Sequence, residues 1–237
     1  MTALVEARNL EIRGRLRQTS LTLHSGELTC LVGPNGSGKT SLLHALAGIG
    51  NPSGDVTIDG IDPRPLGPHQ RRQLYSYLPA SRDINWPLSA RDVIALGSSG
   101  AEDGGRIDRI LADLDLSEMA DRRIDRMSTG ERSRVLIARA LVAEPKLLLL
   151  DEPAANLDPL WQLRLMEHVR KVARENGRSA LVAVHDLELA GGFADRLIVM
   201  DGGSIVADGD PQSLLSSPVM SQVFGIEKAE GRWHALR

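Results

Sequence analysis

The sequence has few aromatic residues, one cysteine and little net charge. Aromatic residues make up 3% of the 237 positions, and the formal charge is −3 at pH 7. A protein that binds nucleic acid through a basic surface needs a clear excess of Lys and Arg, so this composition argues against a nucleic-acid partner. The single thiol, Cys30, lies in the apolar run ELTCLVG and has no second cysteine to pair with. We interpret it as a packing residue of a protein in a reducing compartment.

Long hydrophobic runs are also absent. No stretch approaches the ~20 apolar residues of a membrane-spanning helix, and the first residues lack the parts of a signal peptide. If the protein acts at a membrane, we therefore expect another chain to supply the span. The hydrophobic share of 42% and the charged share of 25% are typical of a globular protein, and the length suits one domain.

Strand and helix patterns alternate along most of the chain. Short apolar runs such as KLLLLDEP and SALVAVHD predict buried strands, and PLWQLRLMEHVRKVARENG predicts a long helix that ends at Gly177. Such alternation is typical of an α/β fold with a mostly parallel sheet, here with an antiparallel β subdomain at the N-terminus. Helical patterns dominate from about 81 to 130, with a glycine-rich break at 100–105. We expect one domain over 1–237 that contains an inserted helical subdomain over about 81–130.

The stretch GPNGSGKT matches the pattern G-x-x-x-x-G-K-T between a predicted strand and a predicted helix. This context favours a phosphate-binding loop, because its glycines let backbone amides turn toward a polyphosphate at a helix N-terminus. We expect Lys39 to reach the β- and γ-phosphates and the Thr40 hydroxyl to bind Mg²⁺. The predicted phosphate-binding residues are Gly33, Pro34, Asn35, Gly36, Ser37, Gly38, Lys39, Thr40 and Ser41.

Two later strands end in ionisable residues. The run LLLLDE delivers Asp151 to a carboxyl end of the sheet, where it suits Mg²⁺ binding, directly or through water. The neighbouring Glu152 suits the polarisation of an attacking water. SALVAVHD ends in His185, which is placed either to contact the γ-phosphate and orient that water or to serve a structural role.

A second serine-glycine turn, MSTGE, precedes the helical run RSRVLIARALVAE. Its simplest interpretation is a helix cap by Ser128 or Thr129. The alternative is a second anion site at a helix N-terminus.

In this order, the motifs resemble those of the nucleotide-binding subunit of ABC transporters, over essentially the whole chain. GPNGSGKT is similar to the family's Walker A motif and LLLLDE to its Walker B motif. MSTGE resembles the signature LSGGQ, NLDP the D-loop, and His185 the switch histidine. Because Walker motifs occur in many P-loop NTPases, the signature is the motif that distinguishes the family.

The resemblance implies an ATPase that uses ATP and Mg²⁺ and works as a head-to-tail dimer of two such subunits. The signature residues of one chain would then cap the γ-phosphate bound by Lys39 of the other, and Asp158 would carry information between the two sites. Lys39, Glu152 and His185 would be catalytic. The signature residues are Ser128, Thr129, Gly130 and Glu131.

Three positions depart from the family pattern. Ala80 follows YSYLP where a glutamine usually meets the metal and the water, which leads us to expect slower hydrolysis or altered coupling. No aromatic residue near LEIRGR can stack on adenine, and Arg13 is a candidate to do so through its guanidinium plane. Thr129 replaces a glycine of the signature, with a side chain that we expect to point away from phosphate.

The segments NWPLSARDVIALG and VFGIEKAEGRWHALR resemble the subfamily that imports metal chelates such as iron-siderophores, haem and cobalamin. This implies a transmembrane permease and a substrate-binding protein as partners, and a position on the cytoplasmic face of the inner membrane. The alternative functions are a soluble assembly scaffold with an ABC-type ATPase and a regulatory module that binds ATP.

Overall fold

The computed structural model describes residues 2–81, 84, 86–98, 104–229 and 231–236. The strands in this part of the chain are β1 Ala3–Ile12, β2 Leu16–His24, β3 Leu28–Val32, β4 Ser53–Ile58, β5 Tyr75–Leu78, β6 Leu147–Asp151, β7 Ser179–Ala183, β8 Arg196–Asp201, β9 Ser204–Gly209, β10 Ile226–Ala229 and β11 Arg232–Ala235. The helices are α1 Lys39–Leu46, α2 Pro68–Leu74, α3 Ala90–Ala95, α4 Gly104–Asp113, α5 Thr129–Leu141, α6 Pro159–Arg174, α7 Leu187–Phe193, α8 Pro211–Leu215 and α9 Pro218–Phe224.

The central sheet has the strand order β5-β6-β7-β3-β8-β9, and its neighbours are parallel except for the last pair. Every residue of β3, β6 and β7 is buried. Uninterrupted apolar runs form such strands because helices cover both faces of a parallel sheet. The predicted α/β fold with a mostly parallel sheet is confirmed, and its carboxyl edge brings together the ends of β3, β6 and β7.

The N-terminal strands form a separate antiparallel sheet with the order β2-β1-β4. Buried and exposed residues alternate along β2, as expected for a sheet with one face on the core. The backbone N–H of Arg17 donates to the Gly203 carbonyl at 2.8 Å. This bond ties the β1–β2 hairpin to the β8–β9 turn beside the phosphate-binding loop.

Helices α3 and α4 and two short 3-10 turns, Ser117–Met119 and Ile124–Arg126, occupy the region predicted to be helical. Their apolar residues, such as Val93 and Leu111, belong to the same buried cluster as Leu148 of β6. The predicted glycine-rich break falls largely on residues 99–103, outside the described part of the chain. The subdomain bounds of 81–130 stay a prediction.

Two features differ from the sequence-based expectation. Helix α6 ends at Arg174, before the predicted Gly177, because Glu175 has an extended backbone. The elements α7, α8, α9, β10 and β11 follow the last predicted helix, and their short apolar patterns gave no clear prediction. Of the helices described, none is long and apolar enough to cross a bilayer.

Candidate active site

A cleft of about 600 Å³ opens where β3 meets α1. It is bounded by the GPNGSGKT loop, the β1–β2 hairpin and the β8–β9 turn, with Glu152 at one side. Its lining residues are Glu11, Gly14, Arg15, Leu16, Arg17, Asn35, Gly36, Ser37, Gly38, Lys39, Thr40, Ser41, Glu152, Gly202 and Gly203. Most of the predicted phosphate-binding residues therefore line one cleft.

The loop before α1 is shaped by glycines that tolerate no side chain. A Cβ on Gly33 would lie 2.3 Å from the Met200 carbonyl oxygen, and Gly38 has a left-handed φ of 104°. Because Gly38 is the N-cap of α1, no side chain caps this helix. Its first amides therefore remain available for an anion.

The Lys39 side chain lies inside this loop. Its Nζ donates to the carbonyl oxygens of Gly33 at 2.7 Å and Pro34 at 3.1 Å, and the residue is 6% exposed. Burial lowers the pKa of Lys39 below its ordinary value, while Glu152 and Asp151 raise it. The ammonium group thus lies between loop carbonyls and two carboxylates, at the point where a phosphate group would enter.

The carboxyl edge of the sheet brings three predicted catalytic and metal-binding residues together. Asp151 is the fully buried last residue of β6. Glu152 follows with a left-handed φ of 50°, and its N–H donates to the Ala183 carbonyl at 3.0 Å. His185 Nε2 and Glu152 Oε1 are 2.5 Å apart in a hydrogen bond. The turn after β6 therefore directs Glu152 toward both the cleft and His185.

The MSTGE turn lies elsewhere. Ser128 caps α5: its Oγ accepts from the Glu131 N–H at 3.2 Å, and its own N–H donates to Glu131 Oε2 at 2.7 Å. These bonds hold the pKa of the Glu131 carboxyl below its usual value. Ser128 and Thr129 are exposed, and in the described part of the chain no signature residue lines the cleft. Within one chain, the signature is a self-capped helix end.

The D-loop packs beside the signature. Asp158 caps α6 by accepting from the Trp161 N–H at 3.0 Å. A Cβ on Gly130 would be 3.6 Å from the Asn156 carbonyl oxygen. The two predicted intersubunit motifs therefore form one continuous exposed surface at the starts of α5 and α6.

The arginines that line the cleft differ from the sequence-based expectation. Arg15 and Arg17 line it, and among the described residues Arg13 does not, so the proposed stacking role of Arg13 is not supported. The reason is the docking of the hairpin: the segment that leaves the turn, and not its first residue, lies against Gly203 and the phosphate loop. The described lining includes no aromatic side chain. No local pattern placed Arg15, Arg17 or Gly203 in the cleft, since their contacts join opposite ends of the chain.

Ala80 is exposed two residues beyond β5, which runs parallel to β6 with Leu78 opposite Leu150. It thus follows a strand at the same sheet edge as Asp151. Its methyl group has no donor or acceptor for metal or water.

Comparisons with known proteins agree with this arrangement. A family model described as ABC transporter matches residues 16–155. A hemin import ATP-binding protein of Bordetella avium is 35% identical over 90% of this chain and 87% of its own length. A cobalamin import ATP-binding protein of Halobacterium salinarum is 33% identical over 98% of this chain and 61% of its own length. A dimeric ATP-binding cassette in a post-hydrolysis state, bound to ADP and Pi, superposes with a TM-score of 0.76 at 26% identity over 87% of this chain and 98% of that chain.

Proposed function

Because the chain belongs to the ABC transporter family, as one of its ATP-binding subunits, we propose that it hydrolyses ATP to power import of a metal chelate through a separate membrane permease. The similarity to hemin and cobalamin import proteins supports this cargo class. The observation that carries the enzymatic part is the Glu152–His185 pair beside a glycine loop that holds Lys39.

The glycine loop suits the phosphates of ATP. A γ-phosphate in the cleft would take over the Lys39 ammonium from the carbonyls of Gly33 and Pro34, while the open amides of α1 face the same charge. Thr40 and Asp151 offer the hydroxyl and carboxylate oxygens that Mg²⁺ prefers, so the residues fit this ion. When bound, Mg²⁺ neutralises part of the phosphate charge.

The hydrolytic step needs a water that attacks the γ-phosphate. Glu152 is placed to polarise that water, and His185, hydrogen-bonded to Glu152, is placed to orient it or to contact the phosphate. Charge that develops on the γ-phosphate is stabilised by Lys39 from the same chain.

The second half of the site comes from another copy. Ser128 and Gly130 are exposed or half-exposed away from the chain's own cleft, at the N-terminus of the 13-residue helix α5. In a head-to-tail dimer this end would face the γ-phosphate of the partner. The similarity to a dimeric cassette supports this assembly, and ATP would hold the two subunits together until hydrolysis.

We expect the base of the nucleotide to lie beside Arg15 and Arg17, which line the cleft. A guanidinium plane can stack on a purine as an aromatic ring does. These two arginines replace Arg13 in this role.

The remaining partners follow from the importer function. The permease provides the membrane span, a substrate-binding protein delivers the chelate, and the subunit lies on the cytoplasmic face of the inner membrane. The resemblance to import proteins favours this function over the scaffold and the regulatory module.

The test is the rate of ATP hydrolysis by the purified chain as a function of protein concentration. A shared site predicts that the rate per chain rises with concentration and saturates as dimers form. Glu152→Gln serves as the blank, and Glu118→Gln, at an exposed position outside the cleft lining, as the matched control. A chain no more active than the blank, with or without its permease, would refute the function.

The cargo is tested separately, in vesicles that contain the subunit with its permease and binding protein. Uptake of hemin, cobalamin or a ferric siderophore that needs both ATP and Glu152 supports the chelate class. ATP-dependent uptake of none of them refutes it and leaves the ATPase assignment intact.

A further inference from the structure

The Trp161 side chain lies close to two arginines where α4, α5 and α6 meet. The Arg134 guanidinium carbon is 4.3 Å from the centre of the indole ring, and that of Arg164 is 5.1 Å away. Both distances are within the range of a cation–π interaction. Trp161 is partly buried against the main apolar cluster.

Both arginines are also hydrogen-bonded to the end of α4. Arg134 Nη1 donates to the carbonyl oxygens of Leu114 at 2.8 Å and Asp115 at 3.1 Å. Arg164 Nη1 donates to Asp115 Oδ2 at 3.0 Å. These bonds hold both guanidinium groups beside the indole ring.

This cluster of Trp161, Arg134 and Arg164 connects the two exposed motifs. Arg134 is on α5, the helix that Ser128 caps. The Asp158 carboxylate caps α6 by accepting a hydrogen bond from the backbone N–H of Trp161. Burial lowers the pKa of Arg134, and the carboxylates of Glu131, Asp115 and Asp158 raise it. Arg134 therefore lies in the field of both the signature and the D-loop.

We propose that Trp161 is a positioning residue that fixes the start of α5 against the start of α6, so that Ser128 and Asp158 meet a second copy of the chain as one rigid surface. The inference rests on the proposed head-to-tail dimer. Trp161 touches no nucleotide; it acts through Arg134 on the signature helix. Without the indole ring, the signature and the D-loop have to become ordered when the dimer forms. The free-energy cost of this ordering weakens dimerisation.

The experiment uses chains with Glu152→Gln, so that ATP-bound dimers persist. Trp161→Leu removes the aromatic face, Trp161→Phe keeps a smaller one, and Trp86→Leu is the control at a tryptophan that is 41% exposed. Sedimentation measures the dissociation constant of the dimer that forms with ATP. Nucleotide affinity is measured at protein concentrations too low for dimers.

We expect Trp161→Leu to weaken dimerisation about tenfold, which lies between the contributions of an exposed and a desolvated cation–π pair. Monomer affinity for ATP stays unchanged, Trp161→Phe lies between Leu and the parent, and Trp86→Leu matches the parent. Should Trp161→Leu not fold, Trp161→Phe and Arg134→Lys carry the same comparison, because Lys keeps the charge without the planar group.

Dimerisation of Trp161→Leu as tight as that of the parent would overturn the proposal. A parallel loss of monomer ATP affinity would also overturn it, since a purely structural role moves both quantities. A parent chain that fails to dimerise with ATP would refute the proposed dimer itself, and the positioning role with it.

Discussion

Two helix N-termini in the described part of the chain belong to predicted phosphate-binding motifs, and they differ in how their first amides are satisfied. At α1 the N-cap is Gly38, with no side chain, and Lys39 is turned inward to loop carbonyls. At α5 the N-cap is Ser128, and a reciprocal pair of bonds with Glu131 satisfies the helix end. The first end is left open within the chain, whereas the second is closed.

This difference explains how one chain can carry two phosphate-binding elements without competition between them. The α1 end lies in a cleft that is large enough for a nucleotide. The α5 end is exposed and needs no ligand to be stable, so it stays folded before it meets the nucleotide of a partner. There the Ser128 Oγ can keep accepting from the Glu131 N–H while its own O–H donates to phosphate. The open end of α1 supplies affinity for the nucleotide within one chain. The capped end of α5 contributes only when a second copy of the chain presents its own nucleotide.

The largest effect is expected at the open end. Lys39→Ala should weaken ATP binding by about 100-fold, because loss of a buried charge partner costs roughly 2–5 kcal/mol. Titration with ATP at constant protein measures this loss. Lys146→Ala, a lysine paired with Asp59 away from the cleft, is the control. Equal affinities would mean that the open helix end alone binds the phosphates.

The capped end allows a sharper test. Ser128→Asp keeps an equally good N-cap, so the free energy of unfolding should change by less than about 0.5 kcal/mol. Hydrolysis should fall about 100-fold, because like charges across an interface cost several kcal/mol. Ser128→Ala instead loses the cap and about 1 kcal/mol of stability. Unfolding and ATPase assays separate the two roles; normal hydrolysis by Ser128→Asp would reduce Ser128 to a cap.

The base end of the open cleft should show a smaller effect. Replacing both Arg15 and Arg17 with alanine should raise KM for ATP about tenfold, the size of one lost base-stacking contact. KM for GTP should rise by the same factor, because stacking does not distinguish the edges of the bases. Arg13→Ala is the matched control and should leave KM unchanged. A loss confined to ATP would indicate edge recognition instead.

The smallest effect is expected at Ala80, between the two ends. Ala80→Gln should raise hydrolysis by about tenfold at most, because a restored amide can hold metal or water from an outer position. Steady-state turnover with and without the permease measures both rate and coupling. Equal turnover and equal coupling in the two chains would show that Ala80 has no functional consequence.

Several elements could be predicted from the sequence because their patterns are local. GPNGSGKT and LLLLDE each combine a buried strand with the residues that follow it, and the structure places Lys39, Asp151 and Glu152 as those patterns predict. The short elements α7, α8, α9, β10 and β11 were missed, since four to seven residues carry too little periodicity. Among the described residues Arg15 lines the cleft and Arg13 does not, which the sequence could not show because it depends on how the hairpin docks.

The sequence by itself determined the alternation of strands and helices through β7, the phosphate loop and the capped helix at Ser128, since these depend on residues within a few positions of one another. Only the tertiary structure decided three contacts: His185 with Glu152, Gly203 with the β1–β2 hairpin, and Trp161 with Arg134. Each of them joins residues that are remote along the chain. Such contacts follow from how the sheets and helices pack, which no local pattern encodes.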